Sequence, residues 1–274
     1  MDRASAAIAW EDSYWSFDGD RVTPARKGIM RETPWPLFVD EHEWLQVVAT
    51  PVQLELFAVG FLYNEGVIDS LDEVLSVRVC DEPEAIIDVR LTHRVILPTK
   101  RTLTSGCGGG TTFADLAATR EPLPTTCAWT PDDVYGAMSG LLGAVAEEYR
   151  AFGGFHSSAL SPGGRQISFV ANDVGRHNTI DKLAGACLLY GIDPHEHMLV
   201  STGRISSEMI GKAARLGIEV VISRNSPTAT TVQLARAWNI TVIGYCRGRR
   251  MHVYSAPERI LVPQPAFVPE TRST

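Results

Sequence analysis

The strongest constraint on the fold is an alternation in the C-terminal half of the chain. From residue 166 onward it reads "QISFVAND", "HNTIDKLAGACLLYG", "HMLVST", "SSEMIGKAARLG", "EVVISR", "SPTATTVQLARAWN" and "TVIGYC". The short apolar runs predict strands, and the longer segments with apolar residues at helical spacing predict helices. Gly191 and Gly217 close two of those helices. A further helix is predicted over "TPDDVYGAMSGLLGAVAEEYR", with Thr130 as N-cap and Pro131 at its first position. Strands and helices in alternation, joined by short connections, predict a layered α/β domain.

In such a sheet, ligands collect where strands end and helices begin. Here those junctions share a composition. "LVST" is followed by "GRISSE", "VVIS" by "RNSP" and "VIGYC" by "RGRR", while "NDVGR" precedes the "HNTIDK" helix. Each places an Arg (Arg204, Arg224, Arg247 with Arg249 and Arg250, Arg176) beside Gly, Ser or Asn. Together they read as one rim of positive charge and free backbone N–H groups suited to phosphate. The bland alternative is that Gly and Ser make turns and the Arg side chains are solvated.

The first hundred residues read differently. Residues 1–30 are polar and mixed, and read as a loosely held arm. Strands are predicted at Leu37–Val39, Trp44–Ala49, "VLSVRVC" and "AIIDVRL". A helix carries Leu54, Phe57, Ala58, Phe61 and Leu62 and ends near Gly66. The expected organisation is a small α+β domain over residues 1–100 and a larger α/β domain over 101–274.

Between them lies "LTSGCGGGTTF", residues 103–113. Cysteine is usually a buried small hydrophobe, yet Cys107 stands among Gly106, Gly108, Gly109 and Gly110. Glycine leaves the backbone bare and lets another molecule approach closely. A helix starting in "TTFADLAATR", capped by Thr111 or Thr112, would lower the thiol pKa. This context fits a nucleophilic or sulfur-carrying cysteine, or else a flexible turn with an incidental one. Cys187 lies on an apolar helix face, Cys80 ends a strand and Cys127 sits in a Pro/Thr-rich connection. Cys246, just before "RGRR", reads as a pocket-wall residue.

Charge narrows the classes of partner. Residues 1–100 hold 18 acids and 9 bases, whereas residues 201–260 hold 3 acids and 9 bases. A local basic region in a chain of net charge −7 points to an anionic ligand bound there. Nucleic-acid binding would show a broader positive face. No apolar run reaches the length of a secretory leader or of a membrane span. Five scattered cysteines make no disulfide framework. The expectation is therefore a cytoplasmic protein that engages neither nucleic acid nor membrane. No resident metal is expected either, because neither C-x-x-C nor H-E-x-x-H spacing occurs.

Long stretches of the chain from about residue 30 onward are similar to a known family. "LTSGCGGGTTF", "GGFHSSAL", "NDVGRHNTIDKLAG", "STGRISSEMIGKAARLGIEVVISRNSPT" and "GYCRGRRMHVYS" resemble the FdhD family, the formate dehydrogenase accessory sulfurtransferases. The resemblance implies a cytidine-deaminase-like α/β/α C-terminal domain without the deaminase zinc site. It implies sulfane sulfur taken from a cysteine desulfurase as a persulfide on Cys107. That sulfur would pass to the molybdenum or tungsten of the bis(molybdopterin guanine dinucleotide) cofactor, the client of formate dehydrogenase. Tyr245, Cys246, Arg247, Gly248, Arg249 and Arg250 are the tract the resemblance assigns to that cofactor, and family analogy implies a homodimer. Some members carry a second cysteine three residues after the first; here Gly110 stands there. The junction residues Gly203, Arg204, Arg224 and Arg176 complete the expected cofactor rim. His156, His177 and Asp173 are supporting candidates, with Asp181 and Lys182 as their partners. The rival reading is a cofactor-binding chaperone that moves no sulfur.

Overall fold

The computed structural model describes residues 9–81, 85–99, 102–103, 111–112 and 120–261. Its centre is a six-stranded mixed sheet of β9 (His156–Ser161), β10 (Phe169–Asp173), β11 (Met198–Ser201), β12 (Val220–Ser223), β13 (Thr241–Arg247) and β14 (Arg250–Val253). The spatial order is β10-β9-β11-β12-β13-β14. β11, β12 and β13 run parallel, and the other neighbours pair antiparallel.

Alternation along these strands builds two cores. Leu199, Val221 and Val242 face α4 (Arg176–Tyr190), α5 (Ser207–Arg215) and α6 (Ala229–Ala237). Val200, Val220, Ile222 and Ile243 face α2 (Pro131–Ala144) on the other side. The result is the expected three-layer α/β/α arrangement. The helix expected over 131–150 is broken at Val145, and α3 (Ala146–Ala151) follows. Its start is as expected: Thr130 and Asp133 form a capping box with Pro131 in the first turn.

The N-terminal region holds a second, four-stranded sheet in the order β4-β3-β6-β5. Its members are β3 (Thr33–Val39), β4 (His42–Ala49), β5 (Val74–Cys80) and β6 (Ile86–Leu91). Trp35, Leu37, Ile87 and Val89 pack against α1 (Leu54–Asn64). α1 is buried almost all round because α4 covers its other side at a crossing of Gly60 with Gly185. A helix apolar on every face is a helix buried on every face.

Residues 9–30 do not form the irregular arm that their polarity predicts. They make a regular hairpin of β1 (Ala9–Asp18) and β2 (Arg21–Met30), turning at Gly19 with φ 58°. Its base is tied down by Ala9 and Met30 on the α2 side of the core, while Trp15 and Phe17 are exposed near its tip.

Candidate functional site

Strand register brings the junctions to one edge of the six-stranded sheet. Ser201 lies opposite Ser223 on one side and Ser158 on the other, and Asp173 opposite His156. The residues after β11, β12 and β13, the start of β9 and the end of β10 therefore share that edge. So do the N-termini of α4, α5 and α6, whose first N–H groups have no partner within their own helices.

Gly203 stands at the centre. Its N–H donates to Ser201 Oγ at 3.2 Å, and its carbonyl accepts from Ser223 Oγ at 2.5 Å. A Cβ there would lie 3.1 Å from Arg176 Cβ and 3.4 Å from His156 Nδ1. The glycine thus makes room for Arg176 and His156 side by side. Burial and the neighbouring Arg176 guanidinium push the His156 pKa down, against the pull of Asp173. His156 is therefore a neutral polar group at neutral pH.

Asn225, which the sequence reading passed over, stitches the edge together. Its Nδ2 donates to Thr202 O at 2.7 Å, its N–H to Ser223 Oγ at 2.9 Å, and its carbonyl accepts from Tyr245 N at 3.1 Å. The motif "RNSP" contained the signal: an Asn right after a strand is placed to bond neighbouring backbone. The contact with β13 coincides with a bulge between Gly244 and Arg247, where Tyr245 adopts φ 52°. Left-handed backbone at a non-glycine residue re-aims the side chain, and Tyr245 projects 41 % exposed.

The "RGRR" tract is the turn of the β13–β14 hairpin, with Gly248 at φ 57°. With Tyr245 and His252 it lines an open cleft of about 700 Å³. Its arginines are not equivalent. Arg247 Nε donates to Arg224 O at 3.0 Å. Arg249 pairs with Asp132 at 2.8 Å and lies over the Tyr135 ring, so it leans toward α2. Arg204, Arg224 and Arg250 are exposed. Cys246 turns the other way from Tyr245 and Arg247. Its thiol is fully buried in the core beside Val134 O, so the expectation of a side chain in the pocket wall does not hold.

Asp173 serves as a tie point rather than as a free acid. It accepts from Thr50 N at 3.1 Å, Gly175 N at 2.8 Å, Asn178 Nδ2 at 2.9 Å and Lys182 Nζ at 2.6 Å. Asp173 and Lys182 are both fully buried, and buried charges offset their desolvation only when closely paired, as these are. His177, next to Arg176, turns its Nε2 to Ser206 Oγ at 3.0 Å and Glu208 Oε2 at 3.5 Å.

Cys107 and its four neighbouring glycines lie outside the described residues. The backbone on either side pairs: β7 (Thr102–Leu103) lies antiparallel to β8 (Thr111–Thr112), with Leu103 opposite Thr111. Thr111 and Thr112 are therefore strand residues, and the helix expected to follow them falls on residues 113–119, outside the described residues. Among the described cysteines, burial raises Cys187 to about 12 and Cys246 to about 11, and also raises Cys127. Those three thiols stay protonated and unreactive at neutral pH.

The FdhD/NarQ family model matches residues 30–261. The chain belongs to the FdhD/NarQ family. A relative in Shouchella clausii, named sulfur carrier protein FdhD, is 35% identical over 260 residues, covering 90% of this chain and 94% of its own length. A Staphylococcus aureus protein of the same name is 36% identical over 238 residues, covering 84% and 88%. A crystal structure from Desulfotalea psychrophila, of a protein assigned as a formate dehydrogenase accessory protein, superposes with a TM-score of 0.75 at 25% identity. It covers 93% of this chain and 100% of its own. The family match leaves out most of the β1–β2 hairpin. No described helix is long and apolar enough to cross a membrane.

Proposed function

We propose that this FdhD/NarQ protein is a cytoplasmic sulfur carrier for formate dehydrogenase that holds sulfane sulfur as a persulfide on Cys107. A cysteine desulfurase supplies the sulfur. The Cys107 thiolate attacks the outer sulfur of the donor's persulfide, and the donor cysteine leaves as a thiolate. The acceptor is the molybdenum or tungsten of the bis(molybdopterin guanine dinucleotide) cofactor, which is bound as substrate.

The observation that carries this reading is the convergence at one sheet edge of Gly203, the Arg176–His156 pair, three helix N-termini and the Arg224–Arg247 contact. Such an edge suits a ligand with several phosphates: backbone N–H groups and Arg forks meet the charge. The open cleft beside Tyr245 offers an aromatic surface for a nucleotide base. Paired strands on either side of the Cys107 loop hold its ends together. The raised pKa values of three other cysteines favour Cys107 as carrier, and so does the name that the relatives bear.

Mass spectrometry tests the carrier directly. After incubation with a cysteine desulfurase and cysteine, Cys107 should gain about 32 Da, one sulfur atom. Cys107→Ser should lose the adduct, keep guanosine diphosphate binding, and fail to activate formate dehydrogenase in cells lacking the native protein. Cys187→Ser should retain activity. Full activation by Cys107→Ser would leave the rival reading, a chaperone that moves no sulfur.

A further inference from the structure

Behind the edge, α1, α4 and α5 enclose a charged cluster in which Lys212 Nζ lies 2.8 Å from Asp181 Oδ2, 3.2 Å from Glu208 Oε1 and 3.9 Å from Glu65 Oε1. Asn64 Nδ2 donates to Asp181 Oδ1 at 2.8 Å. Every one of these charged side chains is at most 4% exposed. Glu208 is shared: Oε1 faces Lys212, and Oε2 faces His177 Nε2 at 3.5 Å.

That sharing selects a tautomer. A neutral imidazole carries its proton on one nitrogen, and the partner of each nitrogen decides which. An unprotonated Nε2 would set its lone pair against the Glu208 carboxylate. A protonated Nε2 donates to Ser206 Oγ at 3.0 Å with the carboxylate close behind. The Ser206 hydroxyl is already the N-cap acceptor for Met209 N, so alone it decides little, because its O–H rotates to suit either tautomer. The titratable and charged groups facing His177 are Glu208 and Lys212 from α5, Arg176 from α4 and the neutral His156 from β9. Burial drives the imidazole down to about 4; Glu208 works against this, while Lys212, Arg176 and His156 add to it. The ring is therefore neutral across the physiological range, and the choice of tautomer is the whole of its acid–base state.

We propose that Glu208 is a positioning residue for His177: it holds the imidazole proton on Nε2 and leaves Nδ1 as the acceptor, while Lys212, clasped by Asp181 and Glu65, fixes the Glu208 carboxylate through Oε1. The N-terminal unit thus reaches the site through α1. Glu65 stands just beyond its last turn and helps to fix the cation that fixes the carboxylate that orients the histidine. Carboxylates behind functional histidines act in this way in many sites. The role in sulfur delivery rests on the edge being the ligand site; the choice of tautomer does not.

Nitrogen NMR of the His177 imidazole in wild type, Glu208→Gln, Glu208→Asp and Ser206→Ala tests this, with sulfur delivery and guanosine diphosphate binding measured alongside. The wild type should show one tautomer, protonated on Nε2, through the neutral range. Glu208→Gln should mix the tautomers and lower delivery about tenfold with little change in nucleotide affinity. Glu208→Asp should restore the tautomer and part of the delivery, and Ser206→Ala should keep the tautomer. An unchanged tautomer in Glu208→Gln overturns the proposal, as does its loss in Ser206→Ala alone. Tautomer mixing in a protein that binds no guanosine diphosphate supports the positioning role and removes the edge as the nucleotide site.

Discussion

Gly60 of α1 and Gly185 of α4 meet backbone to backbone, with no room for a methyl group on either side. A Cβ on Gly60 would overlap the Asp181 carbonyl and lie 2.5 Å from Gly185 N, and a Cβ on Gly185 would overlap the Leu56 carbonyl. This approach brings Asn64 and Glu65 to Asp181 and Lys212.

Gly60→Ala and Gly185→Ala should each destabilise the protein by about 1–3 kcal/mol or more, the cost of overpacking an interface that cannot relax sideways. Gly143, near the end of α2, has open space where a Cβ would go. Gly143→Ala should be neutral or stabilising by up to about 1 kcal/mol. Urea denaturation of the three variants checks the contrast, and equal effects at all three sites would deny the crossing its tightness.

Stability should fall with rising pH because of Asp181. Burial raises its pKa from 3.8 to about 6, with Lys212 and Asn64 only partly opposing. The folded state holds this proton more tightly than the unfolded chain does. The stabilisation is therefore complete below the unfolded value and lost as pH climbs from about 4 through 6. The loss is about 2–3 kcal/mol. Asp181→Asn should not show this slope. The difference in unfolding free energy between wild type and variant should move in the variant's favour between acid and neutral pH; a difference independent of pH would contradict the shift.

Among the arginines of the hairpin, Arg247 and Arg250 should matter more to ligand binding than Arg249, whose guanidinium is engaged by Asp132 and Tyr135. Arg247→Ala with Arg250→Ala should weaken guanosine diphosphate binding more than about tenfold, since a charged hydrogen bond is worth about 1.5–3 kcal/mol. Arg249→Ala should cost less. Titration calorimetry at low salt decides; an affinity unchanged in the double variant would place the phosphates elsewhere.

Periodicity alone made the α/β/α layer legible, because buried parallel strands and amphipathic helices repeat with different periods. It missed β9, which lies between β10 and β11 in the sheet. "HSSALS" has small polar residues where apolar ones are expected, yet Ser157 and Ser158 are buried and bonded to Asn172, Thr179 and Ser201. It also missed β14 and the β1–β2 hairpin, whose polar residues pair by backbone rather than by a buried face.

The sequence by itself determined the layers, the junctions rich in Arg and Gly, and the isolation of Cys107 among glycines. These follow from residue type and spacing along the chain, which local physics reads directly. Only the tertiary structure decided which charges face the edge and which are spent inside. Of the bases in 201–260, Lys212 and Arg259 are buried in ion pairs with Asp181, Glu208 and Glu219, and Arg215 is turned back onto Tyr63, Ile68 and Asp69. Arg204, Arg224, Arg247 and Arg250 remain outside. A charge is committed by what lies within a few ångströms of it in space, and apart from Glu208, one helical turn from Lys212, the partners of these residues come from segments tens of positions away in the chain.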